Sequence, residues 1–75
     1  MSRALDDVLG DVIEELDRAT KLHPIWPDDL LRQVAIVCEE SGEAIRAVLN
    51  NNKEETKMEL IQTAAMALRA LMHLP

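Results

Sequence analysis

LLRQVAIVCEESGEAIRAVL, residues 30–49, decides the architecture. Laid on a wheel at about 100° per residue, the stretch separates into three strips. Leu30, Val34, Val37, Cys38, Ile45, Val48 and Leu49 form one wide apolar stripe, the expected core face. Arg32, Glu39 and Arg46 form a solvated strip. The third strip holds Ile36, Glu40, Glu43 and Ala47, two acids one turn apart between apolar neighbours. That pattern predicts an inward-facing carboxylate pair; the plainer alternative is an exposed pair on an acidic helix.

Working outward, Asn50-Asn51-Asn52 closes this helix, because Asn tolerates the left-handed conformation that helix ends need. Asn52 followed by Glu55 fits a capping box, so a third helix is predicted over about 53–73. Its expected core stripe is Met58, Ile61, Ala64, Ala65, Leu68, Leu71 and Met72. A second strip carries Glu55, Glu59, Gln62, Met66, Arg69 and His73, and Glu59 and Gln62 repeat the i, i+3 spacing of Glu40 and Glu43. Upstream, Leu5, Val8, Leu9, Val12, Ile13, Leu16 and Ala19 recur at helical spacing, predicting a first helix over about 2–22 with Ser2 near its N-terminus. His23-Pro24-Ile25-Trp26-Pro27-Asp28-Asp29 is a proline-stiffened connector, and Asp28 or Asp29 can cap the second helix, over about 29–49.

The expected class is all-α: one domain over residues 1–75, a three-helix subunit of an oligomeric helical bundle. Aromatics are almost absent, which leaves strands poor material. A domain of this size buries only about 60% of its unfolded surface, so its core needs reinforcement. Cys38 is the only cysteine and excludes an internal disulfide, which leaves a metal or oligomerisation. The formal net charge is −6 and the Lys and Arg residues are scattered, which argues against nucleic acid as a partner. No stretch approaches the roughly 18 apolar residues of a membrane span, and the opening residues turn acidic at once, so the expected compartment is the cytoplasm.

Carboxylates at i and i+3 on two facing helices can surround a hard cation such as Mg²⁺, which prefers oxygen ligands and keeps substrate phosphates in its shell. The cation would also remove the repulsion between buried like charges. The rival di-iron arrangement needs Glu-x-x-His pairs, but Thr20 precedes His23 and Ala70 precedes His73 at the required spacing.

Glu39-Glu40-Ser41-Gly42-Glu43 followed by Glu59-Leu60-Ile61-Gln62 resembles the E-x-x-E…E-x-x-D signature of MazG-like nucleotide pyrophosphohydrolases, of the all-α NTP pyrophosphatase superfamily. The likeness runs from about His23 to Leu71 and includes HPIWPDD, EESGEA and ELIQTAAMALRAL. It implies dimers or tetramers of helical subunits that use Mg²⁺, or Mn²⁺, to split a (deoxy)nucleoside triphosphate into monophosphate and pyrophosphate. Carried over, Glu40, Glu43 and Glu59 are metal ligands and Gln62 takes the fourth ligand position, with Glu39 a conceivable base on the solvent side. The family carries Asp where this chain has Gln62, a neutral amide. The alternative expectation is therefore a catalytically silent helical oligomer that binds nucleotide or a protein partner.

Outside the acidic signature, Trp26 is a candidate for stacking on a base, against the commoner role of capping the core. Lys21 and His23 are candidates for phosphate or sugar. Arg69, two turns beyond Gln62, is a candidate phosphate contact whose ordinary alternative is a solvated side chain. Cys38 is expected to be an inert buried thiol.

Overall fold

Three consecutive asparagines set the geometry of the chain. Asn51 adopts a positive φ of 55°. Its N–H donates to Val48 O (2.9 Å), and the Asn52 N–H donates to Ala47 O (3.0 Å). This pair of bonds satisfies two carbonyls that the helix end would otherwise leave open. Asn52 at once starts the next helix: its Oδ1 accepts from the Glu55 N–H (3.0 Å), and its Nδ2 donates to Glu55 Oε2 (3.2 Å). The N-cap half of the predicted capping box is therefore formed, while Glu55 meets the Asn52 side-chain amide instead of its backbone N–H, and one short turn folds two long helices back on each other.

The computed structural model describes residues 3–74. It contains α1 (Leu5–Leu22), α2 (Leu30–Leu49) and α3 (Lys53–Met72), and no strand among the described residues. The boundaries lie close to those expected. Ser2, expected near the start of the first helix, falls outside the described residues. Ala4 holds the N-cap position and offers no side-chain acceptor. Asp29, of the two expected candidates, caps α2 by accepting the Arg32 N–H at 3.1 Å. No helix is long and apolar enough to cross a membrane.

α3 is the central element. It packs against both α1 and α2, while no Cα of α1 comes within 8 Å of one in α2. Val12 and Ala19 of α1 meet Ala65 and Met66 of α3, and Leu16, Trp26, Ile36, Ile61 and Leu68 close around them.

The faces of α2 and α3 differ from the expected ones. The wide stripe of α2 points outward: Leu30, Val34, Ile45, Val48 and Leu49 are exposed, Cys38 with them, and only Val37 is half-buried. The inward face is the third strip, where Ala47 is buried and Ile36, Glu40 and Glu43 are half-buried, joined by the buried Ala44, which was assigned to no strip. On α3, Met58, Leu71 and Met72 of the expected core stripe are exposed, whereas Met66 and Arg69, from the second strip, are buried. The physical reason is backbone approach. Ala44, Ala47, Ala65 and Ala70 let helices close tightly, and the short turn selects which faces meet. The larger apolar side chains are left over.

The surplus is measurable. A folded monomer of 8.4 kDa exposes about 4,600 Å² by size scaling. This chain exposes 5804 Å², with no large side chain fully buried among the described residues.

The turn should therefore dominate local stability. Asn52→Ala removes the cap of α3 and is expected to cost about 1 kcal/mol in urea unfolding. Ala4→Asp supplies an acceptor that α1 lacks and should gain a comparable or smaller amount. An unchanged midpoint for Asn52→Ala would mean that the cap does not hold α3.

A candidate metal centre

The turn also sets which polar groups face each other. Glu43 and Glu59 lie eight residues either side of Asn51, and Glu40 and Gln62 lie eleven either side. Folding the antiparallel pair about Asn51 brings Glu43 opposite Glu59 and Glu40 opposite Gln62. One carboxylate oxygen from each of Glu40, Glu43 and Glu59 lies within 4.8 Å of the others, and all three side chains are half-buried. Oriented with its nitrogen toward the acids, as hydrogen bonding requires, the Gln62 amide donates to Glu40 Oε2 and Glu59 Oε2, both at 3.1 Å.

Crowding acids away from water favours their protonated forms. Glu59 is pushed from an ordinary 4.5 up to about 7, first by desolvation, then by hydrogen bonding to Glu43 and by the charges of Glu43 and Glu40. Glu40 is also raised, chiefly by desolvation and then by the Glu43 charge. At neutral pH the cluster thus holds part of a proton between its carboxylates.

The connector residues gather at a second place that touches the first. Gln33 Nε2 donates to Pro27 O at 2.8 Å, and Arg69 Nη2 donates to His23 O at 2.7 Å, so α2 and α3 each grip the connector. Trp26 is half-buried, with the Arg69 guanidinium carbon 4.6 Å from its ring centroid. His23, Trp26 and Arg69 line a cavity of about 190 Å³ that Glu40 also borders.

Of the sequence candidates, Glu40, Glu43, Glu59 and Gln62 are therefore brought together, and His23, Trp26 and Arg69 form an adjoining group. Lys21 lies outside the cluster: it is exposed, pairs with Asp17 at 2.9 Å and lines a cleft between α1 and α3 that Gln62 also borders. Glu39 is exposed beside the cluster rather than in it. The solvated Arg69 that was the ordinary alternative is not found, because the side chain is 4% exposed.

Two residues escaped the sequence reading. Gln33 is buried and anchors the connector. Its place seven residues before Glu40, on the inward face, was the available signal. Glu15 of α1 is half-buried, gripped by Arg18 through two hydrogen bonds of 2.8 and 2.7 Å, and its charge reaches Glu40. Its spacing from Val12 and Ala19, three and four residues, marks the buried edge of α1.

Comparison with family models, with curated proteins and with solved structures returns no match to this chain. The family likeness therefore rests on the residues quoted above.

Glu59 makes stability depend on pH. Between 4.5 and about 7 the folded chain holds a proton that the unfolded chain releases, so stability must fall as pH rises through that window. In chelator, the melting temperature is expected to drop between about pH 5 and pH 8, and Glu59→Gln should flatten the profile. A flat wild-type profile would mean that the carboxylates do not crowd one another in solution.

Proposed function

We propose that this chain is a Mg²⁺-dependent nucleoside triphosphate pyrophosphohydrolase, splitting an NTP or dNTP into monophosphate and pyrophosphate in the cytoplasmic nucleotide pool. The observation that carries the reading is the inward cluster of Glu40, Glu43 and Glu59. Octahedral Mg²⁺ holds oxygens at about 2.0–2.1 Å, so neighbouring ligands lie about 2.9 Å apart and opposite ones about 4.2 Å. Three oxygens already within 4.8 Å fit that donor set with small side-chain rotations.

Glu40, Glu43 and Glu59 would hold the ion, with Mn²⁺ an acceptable substitute. Bound there, it supplies charge neutralisation for the phosphates and activation of a water. That chemistry would be attack of the water on the α-phosphorus, with the α–β bridging oxygen leaving with pyrophosphate and the water's proton passing to solvent. Gln62 would turn its amide oxygen inward once the acids no longer need its N–H groups. Glu39 stands beside the cluster, within reach of a proton only through solvent.

The second reading, a silent oligomer that binds nucleotide or a protein partner, draws on Gln62 itself. Its two N–H bonds partly satisfy the acids without any cation.

Assembly belongs to the same proposal. The chain exposes roughly 1,200 Å² more than its size predicts, comparable with what a small stable interface buries. The occupant of the α2 stripe is a second copy of this chain, giving a dimer or tetramer.

Pyrophosphate release from a panel of (deoxy)nucleoside triphosphates with Mg²⁺ or Mn²⁺ tests the enzyme. Glu40→Ala should lose at least about a hundredfold, because a lost ligand costs more than a lost supporting group. Gln62→Asp should bind Mg²⁺ more tightly while melting lower in chelator. Millimolar Mg²⁺ should raise the wild-type melting temperature by several degrees through linkage. Silence from wild type and Gln62→Asp alike, with no Mg²⁺ shift, would leave the silent oligomer. Light scattering should give a multiple of 8.4 kDa, and Ile45→Glu on the α2 stripe should reduce it to one subunit. A monomeric wild type at micromolar concentration would refute the assembly.

A further inference from the structure

The outer stripe of α2 reads nearly the same from either end. Leu30 and Leu49 close it, and Leu31 and Val48 follow. Val34 and Ile45 come next, and Cys38 and Ser41 stand nearest the middle. The two members of each pair are equidistant from the midpoint between Glu39 and Glu40. All of these residues are exposed and none is charged. On a wheel at about 100° per residue they fall within about 50° of one line down the helix. Glu40 stands about 130° round from that line, on the side that meets α3. No Cα of α1 comes within 8 Å of one in α2, so neither of the other helices covers the stripe.

The symmetry decides what covers it. A surface fitted to a different protein has no reason to repeat itself in reverse. A surface fitted to its own copy does, because a two-fold axis sets each residue of an antiparallel helix pair level with its counterpart on the other helix. The sizes agree: large apolar side chains lie toward the ends, and small residues lie where the two backbones come nearest. Gly42 adds to this. It is exposed, and a Cβ there would meet nothing within 4 Å, although glycine weakens a helix interior. Its own chain has no need of glycine at 42, whereas a partner helix beside Ser41 gains room from it. The area also suffices, since the surplus of roughly 1,200 Å² matches a small stable interface.

We infer that α2 packs antiparallel on α2 of a second copy, about a two-fold axis that passes midway between Glu39 and Glu40, with Val34 against Ile45 of the partner subunit. The inference deepens the proposed self-assembly and rests on it. Two consequences follow from the register. The acids of each copy face their own α3 and not the partner, so the interface leaves each cluster to a single chain. The two Cys38 residues flank the axis: with the helices about 8 Å apart, their Cα atoms lie about 6 Å apart, within disulfide reach.

Cys38 is the only cysteine, so the native chain carries its own probe. Diamide removes one hydrogen from each of two thiols and joins them. At micromolar protein the Cys38 dimer is expected to form at least about a hundredfold faster than a dimer of Cys38→Ser/Leu60→Cys, whose thiol lies on α3 off the stripe, because paired thiols meet at an effective concentration near millimolar. Equal rates would overturn the register. A second test needs no cysteine. Positions 34 and 45 are about 16 Å apart along one helix, so side chains there can meet only across the pair. Val34→Lys and Ile45→Glu, both at exposed positions, should each weaken self-association at least about tenfold when alone. Mixed together they should pair in light scattering, since each lysine then meets a partner's glutamate while Val34 and Ile45 meet at the other end. A wild-type dimer with no gain in the mixture would overturn the register and leave the proposed assembly standing. A monomeric wild type would overturn both.

Discussion

Like charges inside a small helical chain have to be held together by something stronger than their repulsion, and here that is the register of α2 on α3. The register is set at Asn50–Asn52, where the end of one helix and the cap of the next share residues. Because the turn is so short, residues equidistant from Asn51 must face each other. Ala44 and Ala47 of α2, buried where α3 is its only helix neighbour, leave room for that approach. Glu40, Glu43 and Glu59 are thereby presented to one another from facing helices. Their mutual strain is absorbed by a proton near Glu59 and by the Gln62 amide.

Much of this was legible before any coordinates. Helix extents followed from periodicity, the α2–α3 turn from its asparagines, and α3's start from the Asn52–Glu55 pair. The inward placement of Glu40 and Glu43 followed from Ile36 and Ala47 beside them. The core face of α2 was not legible. Counting apolar side chains favoured Leu30, Val34, Ile45 and Val48, whereas the contact is made by small residues whose value lies in letting backbones approach. Periodicity shows that a helix has an apolar face; it does not say which of two such faces meets its own chain.

Arg69 was hidden for a different reason. Its partners are the His23 carbonyl, 46 residues away in sequence, and the face of Trp26. Neither leaves a local pattern around position 69, and arginine on a helix is solvated by default. The same holds for Gln33, whose bond to the Pro27 carbonyl exists only because the connector folds back over α2. Together these two bonds explain why a connector with two prolines is held against the helices: prolines donate nothing, so the helices must supply the donors.

The arrangement of buried charge is the remaining constraint. This chain places a cation and a carboxylate on the rim of one small cavity and leaves them unpaired. A direct Arg69–Glu40 bond would pair the two charges, but no such bond is formed. The chain instead ties Arg69 to a backbone carbonyl and an indole face and leaves Glu40 to a neutral amide. Both partners are weaker than the ones they displace. Burying Arg69 in this way fixes the connector on α3 beside Glu40, so the fold of the connector and the setting of the acids share one place.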